Sequence, residues 1–170
     1  MINYKPLVQS RMQINFVLGA IAEFGNYVVF WSGNNLLAGY FLSSRKYLNY
    51  FVTEVKKRWP STIISEIKTR KFQSKLKLKP LLKGSKLELK VWETLTKIPC
   101  GEVWSYEKVA KIAGYPRAIR AVASVVGRNP ISLIIPCHRV IRKDGKMGNY
   151  RFGRKLKKLI LKTENVNFKK

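Results

Sequence analysis

Around Lys83-Gly84-Ser85 the chain changes its hydrophobic period, and that change constrains the fold more than any other feature of the sequence. Upstream, Phe16 to Phe24, Tyr27 to Trp31 and Leu36 to Leu42 are β-rich runs, with Gly25-Asn26 and Gly33-Asn34-Asn35 between them at hairpin spacing. Arg45 to Trp59 reads as a helix, with Tyr47, Leu48, Phe51, Val52 and Val55 on one stripe and Pro60 closing it. Thr62-Ile63-Ile64 is compatible with a strand, and Lys75 to Lys79 alternates as an exposed edge strand would. Downstream the period becomes helical. Ser85 and Glu88 form a capping box, followed by Leu87, Val91, Trp92, Leu95 and Ile98 at helical spacing. The expectation is an α+β chain with a β-rich domain over residues 1–83 and a mainly helical one over 86–170.

Within the second half, Ile98-Pro99-Cys100-Gly101-Glu102 breaks the first helix. Ser105 caps a short helix, Tyr106 to Ala113, that Gly114 ends, and Pro116 suits the first turn of another running to about Val126. Two short helices joined by a Gly-Tyr-Pro turn make a helix-turn-helix candidate. On the second of them, Ile119, Val122 and Val126 share a face that would anchor it to the core. Arg117, Arg120, Ser124 and Arg128 share the opposite face, with Ala121 beside them. Small residues studded with arginines let a helix approach a nucleic-acid groove closely, and the same pattern also serves an ordinary solvated face. A strand, Leu133 to Ile135, leads into Pro136-Cys137-His138-Arg139-Val140-Ile141, and a last helix covers Arg154 to Thr163.

Charge narrows the partners. The 170 residues carry 34 Lys and Arg against 9 Asp and Glu, a formal net charge of +25. Both halves share the excess, so it is not a detachable basic tail. Its densest stretch sets Asp144 alone against Arg139, Arg142, Lys143, Lys146, Arg151, Arg154, Lys155, Lys157 and Lys158, most of which should be solvated. A field of that size concentrates polyanions and argues against an acidic metal-binding protein. No run of 18 apolar residues offers a membrane span, and the first ten residues carry no signal-peptide pattern. The two cysteines, Cys100 and Cys137, have no Cys-x-x-Cys spacing, so neither a zinc site nor a disulfide scaffold is expected. A reducing cytoplasm or nucleus suits them.

Cys137 adjoins His138, the only histidine. An imidazole or cation near a thiol favours the reactive thiolate. Adjacent residues on a strand point to opposite faces, so a tight turn after Pro136 or a bridging water would be needed to couple them. On residue types alone, an inert buried thiol is the commoner state of a free cysteine.

The surrounding sequence adds to this. Asn129-Pro-Ile-Ser-Leu-Ile-Ile-Pro-Cys-His-Arg-Val140 resembles the active-site signature of the O6-alkylguanine-DNA alkyltransferases, whose hallmark is Pro-Cys-His-Arg. Gly101-Glu-Val-Trp-Ser-Tyr106, Arg120-Ala-Val122, Gly148-Asn-Tyr150 and Glu164 extend the resemblance over about residues 86–165. It implies a ribonuclease-H-like first domain, a carboxy-terminal domain with a helix-turn-helix, no cofactor or metal, and a monomer acting on double-stranded DNA that carries O6-alkylguanine. The implied reaction moves the alkyl group to Cys137 once and irreversibly. His138 would take the thiol proton, Glu164 would orient the imidazole, and Tyr106 would donate to guanine N3. Asn129 would tie the preceding turn to the cysteine, backbone groups at Cys137 and Val140 would read the guanine edge, and Arg120 would fill the stack left by the flipped nucleotide. Ser105, Tyr150 and Arg151 would complete the pocket and its support. Many relatives carry Ser-Gly where this chain has Arg151-Phe152. The rival readings are a non-catalytic lesion sensor, a helix-turn-helix regulator without chemistry and, more remotely, a cysteine hydrolase.

Overall fold

The structure, a computed structural model, describes residues 13–21, 25–44, 47–60, 62–66 and 79–166. The chain divides into two compact units, Met1–Lys83 and Gly84–Lys170.

In the first unit, β1 (Gln13–Ile21), β2 (Gly25–Ser32) and β3 (Asn35–Leu42) form an antiparallel meander. Helix α1 (Leu48–Arg58) follows, then β4 (Ile63–Glu66) pairs parallel to β1 and β5 (Lys79–Pro80) pairs parallel to β3. The sheet order is therefore β4-β1-β2-β3-β5. The β2–β3 turn uses Gly33 at φ 52°, in the left-handed region that β-hairpin turns demand. Ile14, Phe16, Val28, Phe30 and Tyr40 are buried in the sheet, and Phe51 of α1 stacks on the Tyr40 ring at 4.3 Å. Tyr47 does not belong to the helical stripe. It precedes the first helical residue and is exposed. Most of the expected strand over 75–79 lies outside the described residues, as do residues 45, 46 and 22–24.

The second unit is mainly helical. Its α2 (Lys86–Leu95) opens on the expected capping box: the Ser85 hydroxyl accepts from the Glu88 amide at 3.3 Å, and the Glu88 carboxylate accepts from the Ser85 amide at 2.9 Å. Val91, Trp92 and Leu95 are buried, and Trp92 Nε1 donates to the Val125 carbonyl at 3.3 Å, locking α2 to α4 (Ile119–Gly127). Between them come the two-residue strand β6 (Trp104–Ser105) and α3 (Tyr106–Ile112), whose first turn the Ser105 hydroxyl caps by accepting from the Lys108 amide at 3.1 Å. Strand β6 pairs parallel to β7 (Val140–Ile141), and α5 (Arg154–Thr163) closes the described chain.

Three local expectations are corrected. Pro116 is not in the first turn of α4. The Tyr115 amide bonds to Ala110 O and the Gly114 amide to Lys111 O, with Gly114 at φ 86°, so α3 ends in a Schellman motif. The Ala118 amide then bonds to Tyr115 O, which makes Pro116 the second residue of a β-turn and delays α4 to Ile119. Ile119 is consequently exposed at the helix start, and Val125 joins Val122 and Val126 in the core. Residues 133–135 are not a strand. Leu133 sits at φ 72°, and Ile135 closes back on Ile131 through a 2.9 Å backbone hydrogen bond.

The capping box satisfies two otherwise orphaned amides at the entrance to the second unit. Ser85→Ala is expected to lower the stability of this unit by about 1 kcal/mol, read as a drop in the urea midpoint with an unchanged slope.

Candidate active site and nucleic-acid face

The segment from α4 to β7 is shaped by one buried side chain. The Asn129 carboxamide oxygen accepts from the Ile131 amide at 3.0 Å, and its nitrogen donates to Ile135 O at 2.6 Å and to Cys137 Sγ at 3.0 Å. An Asx-type turn thus folds residues 129–135 into a compact loop and delivers Pro136 into a 3-10 turn over Cys137–Arg139. That turn breaks the alternation of a strand, but it gives the Cys137 sulfur to Asn129 and the His138 ring to Glu164 rather than joining the two directly. Both residues are buried, but their surroundings differ. Cys137 lines a cavity of about 610 Å³ together with Tyr106, Asn129, Tyr150 and Arg151, and Ala123, Val126 and Gly127 of α4 form its helical wall. His138 faces the carboxylate of Glu164, with Nε2 3.0 Å from Oε1.

Glu164 is placed by the end of α5. The Val166 amide bonds to Leu161 O and the Asn165 amide to Lys162 O, with Asn165 at φ 57°, a second Schellman motif with Asn at the left-handed position. Leu161 and Val166, on either side of Glu164 in the sequence, pack with Met147 in one apolar cluster. Arg139 then grips it with two bonds, Nε to Oε2 at 2.9 Å and one terminal nitrogen to Oε1 at 2.8 Å, and its other terminal nitrogen donates to Ile98 O at 2.7 Å.

The electrostatics leave the resting site uncharged at its centre. Burial pushes the Cys137 thiol up; the Asn129 hydrogen bond, the Lys157 ammonium and the Tyr150 hydroxyl work in the opposite sense without overcoming it. Burial lowers His138, against the opposing pull of Glu164. Burial works to raise the Glu164 carboxyl, but hydrogen bonds from Arg139 and His138 outweigh it and hold the group below the usual carboxylate range. An ionised carboxylate only accepts, so the neutral imidazole donates from Nε2 and keeps its lone pair on Nδ1. Nδ1 is buried and has no hydrogen-bond partner among the described residues. A proton acceptor is therefore held ready on the residue next to the thiol. Burial, and then the proximity of Cys137, also raises the Tyr106 phenol and keeps it a donor.

The helical face is exposed as its spacing predicts: Arg117 in the turn, then Arg120, Ala121, Ser124 and Arg128. Arg128 is tied within the chain, donating to Ser124 Oγ at 2.6 Å and standing 3.5 Å from Glu88. Val140 is fully buried in β7. Among the described residues, no group of three or more His, Cys, Asp or Glu side chains could hold a metal ion.

One buried cation at the site is not signalled by composition. Lys157, grouped above with the solvated basic stretch, is 1% exposed. Its ammonium donates to Val140 O at 2.6 Å and Met147 O at 2.7 Å, joining the strand after the cysteine turn to the loop that carries Tyr150. Burial brings its pKa down to about 8, against the attraction of Cys137, and Arg154 adds to the lowering. Only its position four residues before the buried Leu161, on the inner stripe of α5, signals this in the sequence.

A buried cysteine opens on a cavity walled by α4, with a carboxylate-held imidazole on the next residue and exposed arginines along the same helix. Residues 86–166 match the model of the 6-O-methylguanine DNA methyltransferase, DNA binding domain family. The chain is 46% identical over 94 residues to the methylated-DNA–protein-cysteine methyltransferase of Methanosarcina barkeri, covering 55% of this chain and 58% of that one. It is 44% identical over 86 residues to the bifunctional transcriptional activator/DNA repair enzyme Ada of Escherichia coli, covering 51% and 24%. It spans less than two thirds of the length of either curated relative. A crystal structure of Mycobacterium tuberculosis OGT in complex with DNA aligns with a TM-score of 0.65 at 27% identity, covering 89% of this chain and 93% of that one. The O6-methylguanine-DNA methyltransferase of Pyrococcus kodakaraensis shares the fold, with a TM-score of 0.69 at 23% identity over 90% and 99% of the two chains. Over residues 86–166 the chain is therefore similar to the DNA-binding domain of 6-O-methylguanine DNA methyltransferase.

Lys157→Met keeps the volume but leaves two buried carbonyls without a donor, and is expected to cost about 3 kcal/mol of stability. The folded amine releases its proton near pH 8 while the unfolded one holds it to about 10.5. Over that window the group makes stability rise with pH. Urea titrations at stepped pH should show this rise in the wild type relative to Lys157→Met; parallel curves would contradict it.

Proposed function

We propose that the chain repairs DNA directly, moving an alkyl group from guanine O6 to Cys137 in a single, self-inactivating turnover. The observation that carries this reading is the placement of the Cys137 sulfur at the cavity wall, held by Asn129 and backed by the His138–Glu164 pair. In the step, the thiol proton passes to His138 Nδ1 through a water, and Glu164 stabilises the imidazolium. Sulfur attacks the alkyl carbon, the carbon–O6 bond breaks, and the electron pair leaves with the guanine. Tyr106 donates to the purine N3 and makes it a better leaving group. The product thioether is not reversed, so one molecule repairs one lesion. No cofactor takes part.

The target carbon lies inside the stacked duplex, so the nucleotide must rotate into the cavity at a cost of a few kcal/mol. Helices α3 and α4 act as a helix-turn-helix whose second member enters the minor groove, where readout is nearly blind to sequence. That suits a protein that must inspect every guanine. Arg120 fills the vacated stack, while Arg117, Ala121, Ser124 and Arg128 face the backbone. Backbone groups of Cys137 and Val140 read the guanine edge. Residues 1–83 form a ribonuclease-H-like supporting domain, and residues 86–170 the catalytic and DNA-binding one. A thiol used in this way must stay reduced, which fits the cytoplasm or nucleus, and nothing in the chemistry requires more than a monomer.

Intact-mass measurement after incubation with an O6-methylguanine duplex should show a gain of one methyl group per chain, mapped to Cys137 and absent from Cys137→Ser. An unaltered mass in the wild type would leave only a passive DNA-binding or lesion-sensing protein. Arg120→Ala should slow repair in duplex DNA by at least about tenfold while hardly changing transfer from a free O6-alkylated base; equal losses on both would remove the stacking role.

A further inference from the structure

The cavity that holds Cys137 is also lined by two arginines, Arg142 just after β7 and Arg151 just after Tyr150, and by no acidic side chain. Arg142 is held against the cavity by its stem: a Cβ placed on Gly148 would lie 3.3 Å from Arg142 Cγ and 3.8 Å from the Tyr106 ring. The arginine stem and the Tyr106 ring thus converge over the same glycine. One terminal nitrogen of Arg142 meets Asp144 at 3.1 Å, and its side chain remains 62% exposed. The half-buried Arg151 stands 6.0 Å from the Phe152 ring centroid, and that ring packs edge-on against Tyr150 at 5.5 Å. Both arginines therefore line, on braced supports, the cavity that also holds the Cys137 sulfur.

Resting on the alkyltransferase reading, we propose that this pocket selects O6 substituents that end in a negative charge, of which carboxymethyl is the smallest. A neutral methyl or ethyl group gains nothing from two guanidinium groups. A carboxylate one bond beyond the transferred carbon finds donors whose planar forks match it. Attack on such a carbon also brings the developing thiolate towards a second anion, a repulsion that slows the reaction unless cations offset it. The step itself balances without a further reactant. The Cys137 sulfur bonds to the CH2 carbon, the carbon–O6 bond breaks with its electron pair going to guanine, and guanine takes up a proton. The thiol proton goes to His138, and the product is S-carboxymethylated Cys137.

The same arginines would also attract duplex phosphates, so the test separates substituent from backbone. Single-turnover rates of the full chain are measured on duplexes carrying O6-carboxymethylguanine, its neutral isostere O6-carbamoylmethylguanine, and O6-methylguanine, and on the corresponding free bases. In the Arg142→Ser, Arg151→Ser double variant the carboxymethyl-to-carbamoylmethyl rate ratio should fall by about tenfold, on free bases as well as duplexes. The double Lys variant, which keeps the charge, should recover part of it. An unchanged ratio, or an equal slowing of every duplex with free bases unaffected, assigns the arginines to the phosphates and overturns the proposal. Transfer from O6-methylguanine should not depend on these residues; a loss there as large as the carboxymethyl loss, on free bases as well as duplexes, overturns the selectivity alone. Absence of transfer from all substrates overturns the alkyltransferase reading and this inference with it.

Discussion

The Asn129 carboxamide is the interaction on which the rest of the site depends. A buried amide must find partners for its polar atoms, and this one divides them among Ile131, Ile135 and Cys137, three points that no single secondary-structure element could join. Because the oxygen is committed to the Ile131 amide, the nitrogen has to face the loop's far end, and the loop closes over six residues without strand pairing. The left-handed Leu133 is the backbone cost of that closure. What results is a sulfur whose position is set by hydrogen bonding to a neutral donor, on a turn short enough to leave the following imidazole facing α5.

The second unit then reads as a set of tethers converging on that turn. Arg139 leaves the turn and fixes Glu164, and through Ile98 O it also reaches the end of α2. Lys157 leaves α5 and ties the strand after the turn to the Tyr150 loop. Each tether pairs a charge with carbonyls or a carboxylate inside a partly dry environment, where breaking one partner is expensive. A chain with this excess of basic residues could have placed them all in water. Two of those in its densest stretch instead hold the cavity together, and two more line it.

Much of this was legible in the sequence. The capping box, the limits of α5, the exposed face of α4 and the approach of Glu164 to His138 all follow from local patterning or from the family signature, because each depends on residue types at fixed spacing. The errors share a cause. At Pro116 and at Leu133–Ile135 propensity favours a helix start and a strand, yet in each case a backbone hydrogen bond closing a turn decides the conformation. The burial of Lys157 is invisible to composition, which treats every lysine as solvated, and only two carbonyls brought together by the fold make it acceptable. The strands of the first unit were visible as β-runs, but their order was not. The parallel pairing of β4 with β1 and of β5 with β3 joins segments far apart in sequence, and alternation says nothing about which edge a strand will take.

Under the proposed single-turnover reaction, the electrostatic state of the centre bears on how the nucleophile survives until it is needed. A thiolate exposed to a cellular medium reacts with any electrophile, and a residue that is not regenerated gains nothing from permanent activation. Here burial raises the thiol and lowers the imidazole, so both partners rest uncharged, while the surrounding cation and carboxylate remain ionised. Moving one proton from sulfur to imidazole creates an ion pair inside groups already oriented to receive it: Asn129, Tyr150 and Lys157 around the sulfur, Glu164 beneath the ring. The reorganisation has been completed by folding, so the remaining requirement is an electrophilic carbon placed in the cavity. Under the proposed reaction, reactivity is thereby coupled to occupancy, which is the property a sacrificial acceptor needs most.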